Sequence, residues 1–195
     1  MTDKQRPYIT VVSGLPRSGT SMMMRMLDAG GMPVLVDQVR QADDDNPRGY
    51  YELEAVKKTK SDASWLTRAS GCAVKMVYRL LYDLPDTHTY RVLFMRRRLP
   101  EVLASQDKML ARKGDVVEPI SEEKFVALFS GELRRIDRWL TAQPHFTVLN
   151  VDYNAMIDNP LVQVTAINQF LDGGLDTRRM ARVVEPTLYR QRHGG

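Results

Sequence analysis

The sequence predicts an α/β fold, a mostly parallel central sheet with helices on both faces. Strand-like and helix-like segments alternate along the chain, and the strand-like ones are short continuous apolar runs. The first run ends in a glycine-rich turn that opens directly into a helical pattern. Continuous apolar runs suit strands covered on both faces, as in parallel sheets. A chain of 195 residues, 43% apolar and 27% charged, suits one domain over 1–195 with its own core.

Tyr8–Ser13 (YITVVS) is rich in β-branched residues and stops at Gly14, which predicts a buried strand. Ser18–Ala29 has helical periodicity and is closed by Gly30-Gly31. Pro33–Val36 predicts a second strand, and Asp37–Gly49 a long polar loop. Glu52–Arg68 predicts a helix, Cys72–Val77 a third strand and Tyr90–Met95 a fourth. Helices are expected over Pro100–Arg112 and Ser121–Leu140, then a fifth strand over Phe146–Val151. Pro160–Leu171 and Thr177–Val184 complete the pattern as helices.

Composition narrows the function classes. A net charge of +4 tolerates an anionic ligand, but no continuous basic stripe calls for nucleic acid. One cysteine, Cys72, forbids an internal disulfide and fits a reducing compartment, so a cytoplasmic protein is expected. His88, His145 and His193 lack metal-ligand spacing, and no metal is expected. No apolar run is long enough for a membrane span. Met22–Met26 reads as core packing, since a helix behind such a turn lies on the sheet.

The turn Gly14-Leu-Pro-Arg-Ser-Gly-Thr-Ser21 has the frame G-x-x-x-x-G-x-S, the spacing of a phosphate-binding P-loop. Glycines at both ends let the backbone curl round an anion, and the helix start supplies amides and a positive dipole end. This makes a three-layer sandwich of the P-loop nucleotidase type the expected architecture. Thr20 occupies the slot of the nucleotidase lysine, and the cation inside the loop is Arg17. A kinase or nucleotidase with a degenerate loop is therefore an alternative that the lysine slot disfavours.

Pro16–Ser21 resembles the 5′-phosphosulfate loop of sulfotransferases that use 3′-phosphoadenosine 5′-phosphosulfate (PAPS). The resemblance implies that Arg17 contacts the 5′-phosphate and bridging oxygen, and that Ser18, Gly19, Thr20 and Ser21 hold the phosphate. That family's 3′-phosphate motif has an arginine at a strand end, an acidic residue four on and a serine eight on. Arg97, Glu101 and Ser105 keep this register, whereas Arg96 and Arg98 do not. The motif's usual proline two after the arginine is Leu99 here, with Pro100 next. A guanidinium fork and a hydroxyl suit a terminal phosphate. Val151–Pro160 and Asn46–Glu52 are similar to further segments of the family.

For catalysis the resemblance implies a cation for the leaving phosphate and a base for the acceptor. Arg17 is the first candidate cation and Lys75 the second. A lysine inside the apolar run Val74–Val77 needs a partner or an exit to solvent. Cytosolic members carry a histidine base two after that lysine, where this chain has Val77. Glu52 is the candidate base, with Glu54 and Asp37 behind it. The expected reaction is sulfuryl transfer from PAPS to a hydroxyl of a small-molecule, carbohydrate or lipid acceptor, leaving 3′,5′-adenosine bisphosphate (PAP). The missing histidine keeps open a non-catalytic PAPS- or PAP-binding protein.

Overall fold

The computed structural model describes residues 7–37, 49–113 and 120–184. The acidic run Asp43–Asp45, the Asn46–Arg48 part of the loop motif, the 114–119 segment, and Arg190 and Arg192 of the tail lie outside the described residues.

Among the described residues four parallel strands form the sheet: β1 (Ile9–Gly14), β2 (Ala73–Lys75), β3 (Tyr90–Arg96) and β4 (Phe146–Asp152). Their spatial order is β2-β1-β3-β4. Among the described residues six α-helices accompany them: α1 (Thr20–Ala29), α2 (Leu99–Lys113), α3 (Glu122–Ala142), α4 (Tyr153–Asp158), α5 (Pro160–Phe170) and α6 (Thr177–Arg182). Every residue of β1 is buried, as its unbroken apolar run requires for a central strand.

The sheet separates two cores, so the domain is a three-layer α/β sandwich. On one face Val12, Leu93, Met95 and Val151 pack against α1 and α4–α6. Met23, Met24 and Met26 are fully buried there, as expected for a helix lying on the sheet. On the other face Ile9, Val11, Val92 and Phe94 meet Trp65, Leu66, Leu81 and, from α3, Ile136 and Leu140.

Two expected elements differ. Pro33–Val36 is not a strand of the sheet; only Val34 bridges Ala73. Pro33 has no N–H to give, and two residues past the Leu35 N–H bond to Ala73, the Asp37 N–H turns away to the Glu52 carbonyl. The single helix expected over Glu52–Arg68 is two short 3-10 helices, Glu54–Lys58 and Ser64–Arg68. Side chains between them compete for the backbone: Thr59 Oγ1 donates to the Val56 carbonyl, and Asp62 Oδ1 accepts from the Ser64 N–H. A third 3-10 helix, Tyr78–Asp83, and the short α4 were not expected.

Register aligns the strand ends. Gly14 pairs with Met95, Met95 with Val151, and Arg96 with Asp152. The turn after β1, the residues after β3 and the start of α4 therefore share the carboxyl edge of the sheet, where parallel α/β folds bind ligands.

Candidate active site

The turn from Gly14 to α1 is built by its own backbone. Gly14 and Gly19 have φ of 148° and 99°, and Arg17, though not glycine, stands at 68°. Such a conformation is costly for Arg17 and persists only where its surroundings hold it. The Arg17 carbonyl accepts a hydrogen bond from Arg97 Nη1 at 3.1 Å. A Cβ on Gly19 would lie 2.4 Å from Cδ2 of Tyr153, so glycine is required there twice over. Ser18 is buried, and both its N–H and its hydroxyl donate to the Leu15 carbonyl. Its donors lock the turn from inside rather than facing the edge.

The first turn of α1 contains no acidic residue. Thr20 and Ser21 open that helix, whose amides and dipole favour an anion. Ser21 Oγ donates to the Tyr50 carbonyl at 3.3 Å and lies 3.3 Å from Lys75 Nζ.

Lys75 resolves the problem posed by a lysine at the end of an apolar strand. Its ammonium pairs with Glu52 Oε1 at 3.3 Å and also donates to the Tyr50 carbonyl. Both charged side chains are largely buried. Glu52 lies in the extended stretch before the first 3-10 helix, not at a helix start. Of the weaker candidates, Asp37 accepts the Glu54 N–H at 2.6 Å and Glu54 pairs with Lys57 in solvent.

Arg97 follows β3 immediately. Its Nε pairs with Glu101 Oε2 at 3.0 Å, and its guanidinium lies over the Tyr153 ring at 4.5 Å. Glu101, in the first turn of α2, is buried. One turn further along α2, Ser105 Oγ accepts from Arg17 Nε at 3.0 Å. Arg96 is drawn away to Asn150 and Asp137, and Arg98 is exposed. Among Arg96, Arg97 and Arg98, a bond to the Arg17 carbonyl is made by Arg97.

The structure thus gathers these residues into two contact groups, Arg17 with Ser105 and Arg97, and Lys75 with Ser21 and Glu52, which the turn from Arg17 to Ser21 connects through the backbone. Sequence reasoning missed Tyr153, which wedges between Gly19 and Arg97, and Asn154, whose amide reaches Glu101 Oε1 at 2.9 Å. The available signal was Asp152, a helix-capping residue at the end of a strand. Burial pushes the Tyr153 hydroxyl above its usual pKa, while Arg97 pulls the other way.

No family model and no curated protein matches the chain. Solved structures do. The sulfotransferase domain from the curacin biosynthetic pathway superposes with a TM-score of 0.53 at 14% identity, over 93% of this chain and 79% of that one. The sulfotransferase domain of the Synechococcus PCC 7002 olefin synthase gives 0.54 at 14% identity, over 98% and 90%. The fold is a sulfotransferase fold. Retinol dehydratase, solved with androsterone and the inactive cofactor PAP, shares it at a TM-score of 0.51 and 16% identity, over 92% of this chain and 64% of that one. Among the described residues no helix is long and apolar enough to cross a membrane.

Proposed function

We propose that this chain transfers the sulfuryl group of PAPS to a hydroxyl of a small-molecule acceptor. The observation that carries the reading is the contact between two separated motifs: Arg17 Nε meets Ser105 Oγ, and Arg97 Nη1 meets the Arg17 carbonyl. Direct contact between the two motifs is what a single bridging adenosine bisphosphate needs, and it supports this reading.

The donor set fits such a ligand. Arg17, Lys75 and Arg97 supply cations, Ser21 and Ser105 hydroxyls, and the helix start amides. Gly19 and Thr20 shape the cradle, and Ser18 holds its curvature. Among the described residues no cluster of metal-ligating side chains is present. In this reading Arg17 and the amides hold the 5′-phosphosulfate, while Arg97 and Ser105 hold the 3′-phosphate. The acceptor oxygen attacks sulfur, and the bond from sulfur to the bridging phosphate oxygen breaks. Glu52 takes the acceptor's proton, oriented by its ion pair with Lys75. Arg17 and Lys75 meet the negative charge that grows on the departing phosphate. Retinol dehydratase, which shares the fold, is solved with PAP and androsterone, and this supports a PAP-type cofactor beside a small-molecule ligand.

Thermal denaturation tests the binding half. PAP is expected to raise the melting temperature without magnesium and more than ADP or GDP does. Stabilisation by magnesium-bound nucleoside triphosphates alone would instead favour a nucleotidase. Radiolabelled sulfuryl transfer to a panel of hydroxyl acceptors tests the chemistry. Glu52→Gln is expected to lower transfer about 100-fold or more while PAP still binds. Unchanged transfer in that variant removes Glu52 from the mechanism.

A further inference from the structure

The Arg97 guanidinium is held by a chain of contacts that ends on a residue outside both anion motifs. Its Nε bonds Glu101 Oε2, and the second oxygen of the same carboxylate, Oε1, accepts from Asn154 Nδ2 at 2.9 Å. Arg98 Nη1 approaches that oxygen only to 4.0 Å, from an exposed side chain. The Glu101 side chain has no solvent exposure and that of Arg97 has 7%. With water excluded, the plane of the carboxylate is set by its protein partners, and the carboxylate in turn sets the guanidinium fork.

Asn154 is itself well anchored. It sits in the first turn of α4, where Asp152 Oδ1 accepts from the N–H groups of Asn154 and Ala155 at 2.8 and 3.0 Å. Asp152 is in ladder register with Arg96, the residue before Arg97. The neighbouring Tyr153 carries the Arg97 guanidinium on its ring face. One short segment, Asp152–Asn154, thus supports Arg97 from below and fixes its partner from the side.

We infer that Asn154 is a positioning residue for 3′-phosphate recognition: it fixes Glu101, and through Glu101 it aims Arg97. The inference rests on the proposed role of Arg97 and adds a specificity determinant to it. The role assigned to Asn154 runs through Glu101 and requires no contact of its own with the ligand. Its effect appears only where the orientation of Arg97 matters, in the preference for an adenosine nucleotide that carries a 3′-phosphate.

Calorimetric titration of the full chain with PAP and with adenosine 5′-monophosphate measures that preference as a ratio of affinities. In Asn154→Ala the ratio is expected to fall about tenfold, with monophosphate affinity held within about twofold, the size of one charge-assisted hydrogen bond acting indirectly. Asn154→Asp keeps the side-chain shape and suits the first turn of a helix, but lacks the N–H donor and faces Glu101 with a like charge. The ratio is expected to fall at least as far, and because both titrations use the same folded sample, the ratio reports independently of how much of each variant folds. Equal losses for both ligands, or an unchanged ratio in both variants, overturn the inference and leave the sulfotransferase reading standing. A wild-type chain with no preference for PAP overturns that reading itself, and the inference with it.

Discussion

Gly19 shows how tightly a single residue is constrained at this edge. Its φ of 99° is one that L side chains rarely adopt, and a Cβ there would enter the Tyr153 ring. Backbone strain of this kind costs about 1–3 kcal/mol. Overpacking against a buried ring adds a similar amount. Gly19→Ala is therefore expected to destabilise the fold by about 2–6 kcal/mol, read as a lower urea midpoint. Adding Tyr153→Ala removes the clash but not the strain. The double variant should then fall short of the sum of the two single effects. Strict additivity would mean that the ring and the turn do not press on each other.

At the scale of elements, α4 is the joint between the sheet and the site. It is only six residues long, too short to persist by propensity, and depends on its cap. Asp152→Ala removes the acceptor for two N–H groups and is expected to cost about 1 kcal/mol. Because the capped turn carries Tyr153 and Asn154, the same change should weaken PAP binding more than this modest loss of stability would. Unaltered PAP affinity would separate α4 from the site. The element also marks where sequence reading ran out. β1, β3 and β4 were legible to within one residue, because their runs are unbroken and bounded by glycine, proline or charge. The phosphate-type turn and the Arg97–Ser105 register were legible for the same reason, being local patterns of fixed spacing. The Lys75–Glu52 pair was legible only as a need, since a lysine in an apolar strand demands a partner without naming it. The two 3-10 helices in place of one α-helix were not legible. There, Thr59, Asp62 and Trp65 settle the backbone through side-chain bonds that periodicity does not record. Tyr153 and Asn154 escaped because their partners, Gly19 and Glu101, lie far away in sequence.

Across the whole molecule, tyrosine hydroxyls couple both cores to pH. Burial is the largest cause that raises the pKa of Tyr51, Tyr82, Tyr90 and Tyr153 above the ordinary 10.0. The shift is largest for Tyr90, at the start of β3, whose ring is 1% exposed and whose hydroxyl donates to the Pro85 carbonyl at 2.9 Å. In the unfolded chain these groups ionise near pH 10, and in the folded chain they stay neutral to higher pH. The stability they contribute is therefore fully present below about pH 10 and falls as pH climbs from there towards the folded values. The urea midpoint should be flat on this account from about pH 8 to 9.5 and drop steeply beyond, with tyrosinate absorbance rising at the unfolding transition rather than before it. Lysines also lose charge near this range, so the slope needs an internal control. Tyr90→Phe keeps the ring in the core and removes the ionisable group. That variant is expected to begin slightly less stable, for want of the bond to Pro85, and to lose stability less steeply above pH 10. An identical slope in wild type and variant would shift the alkaline sensitivity from the buried tyrosines to the lysines.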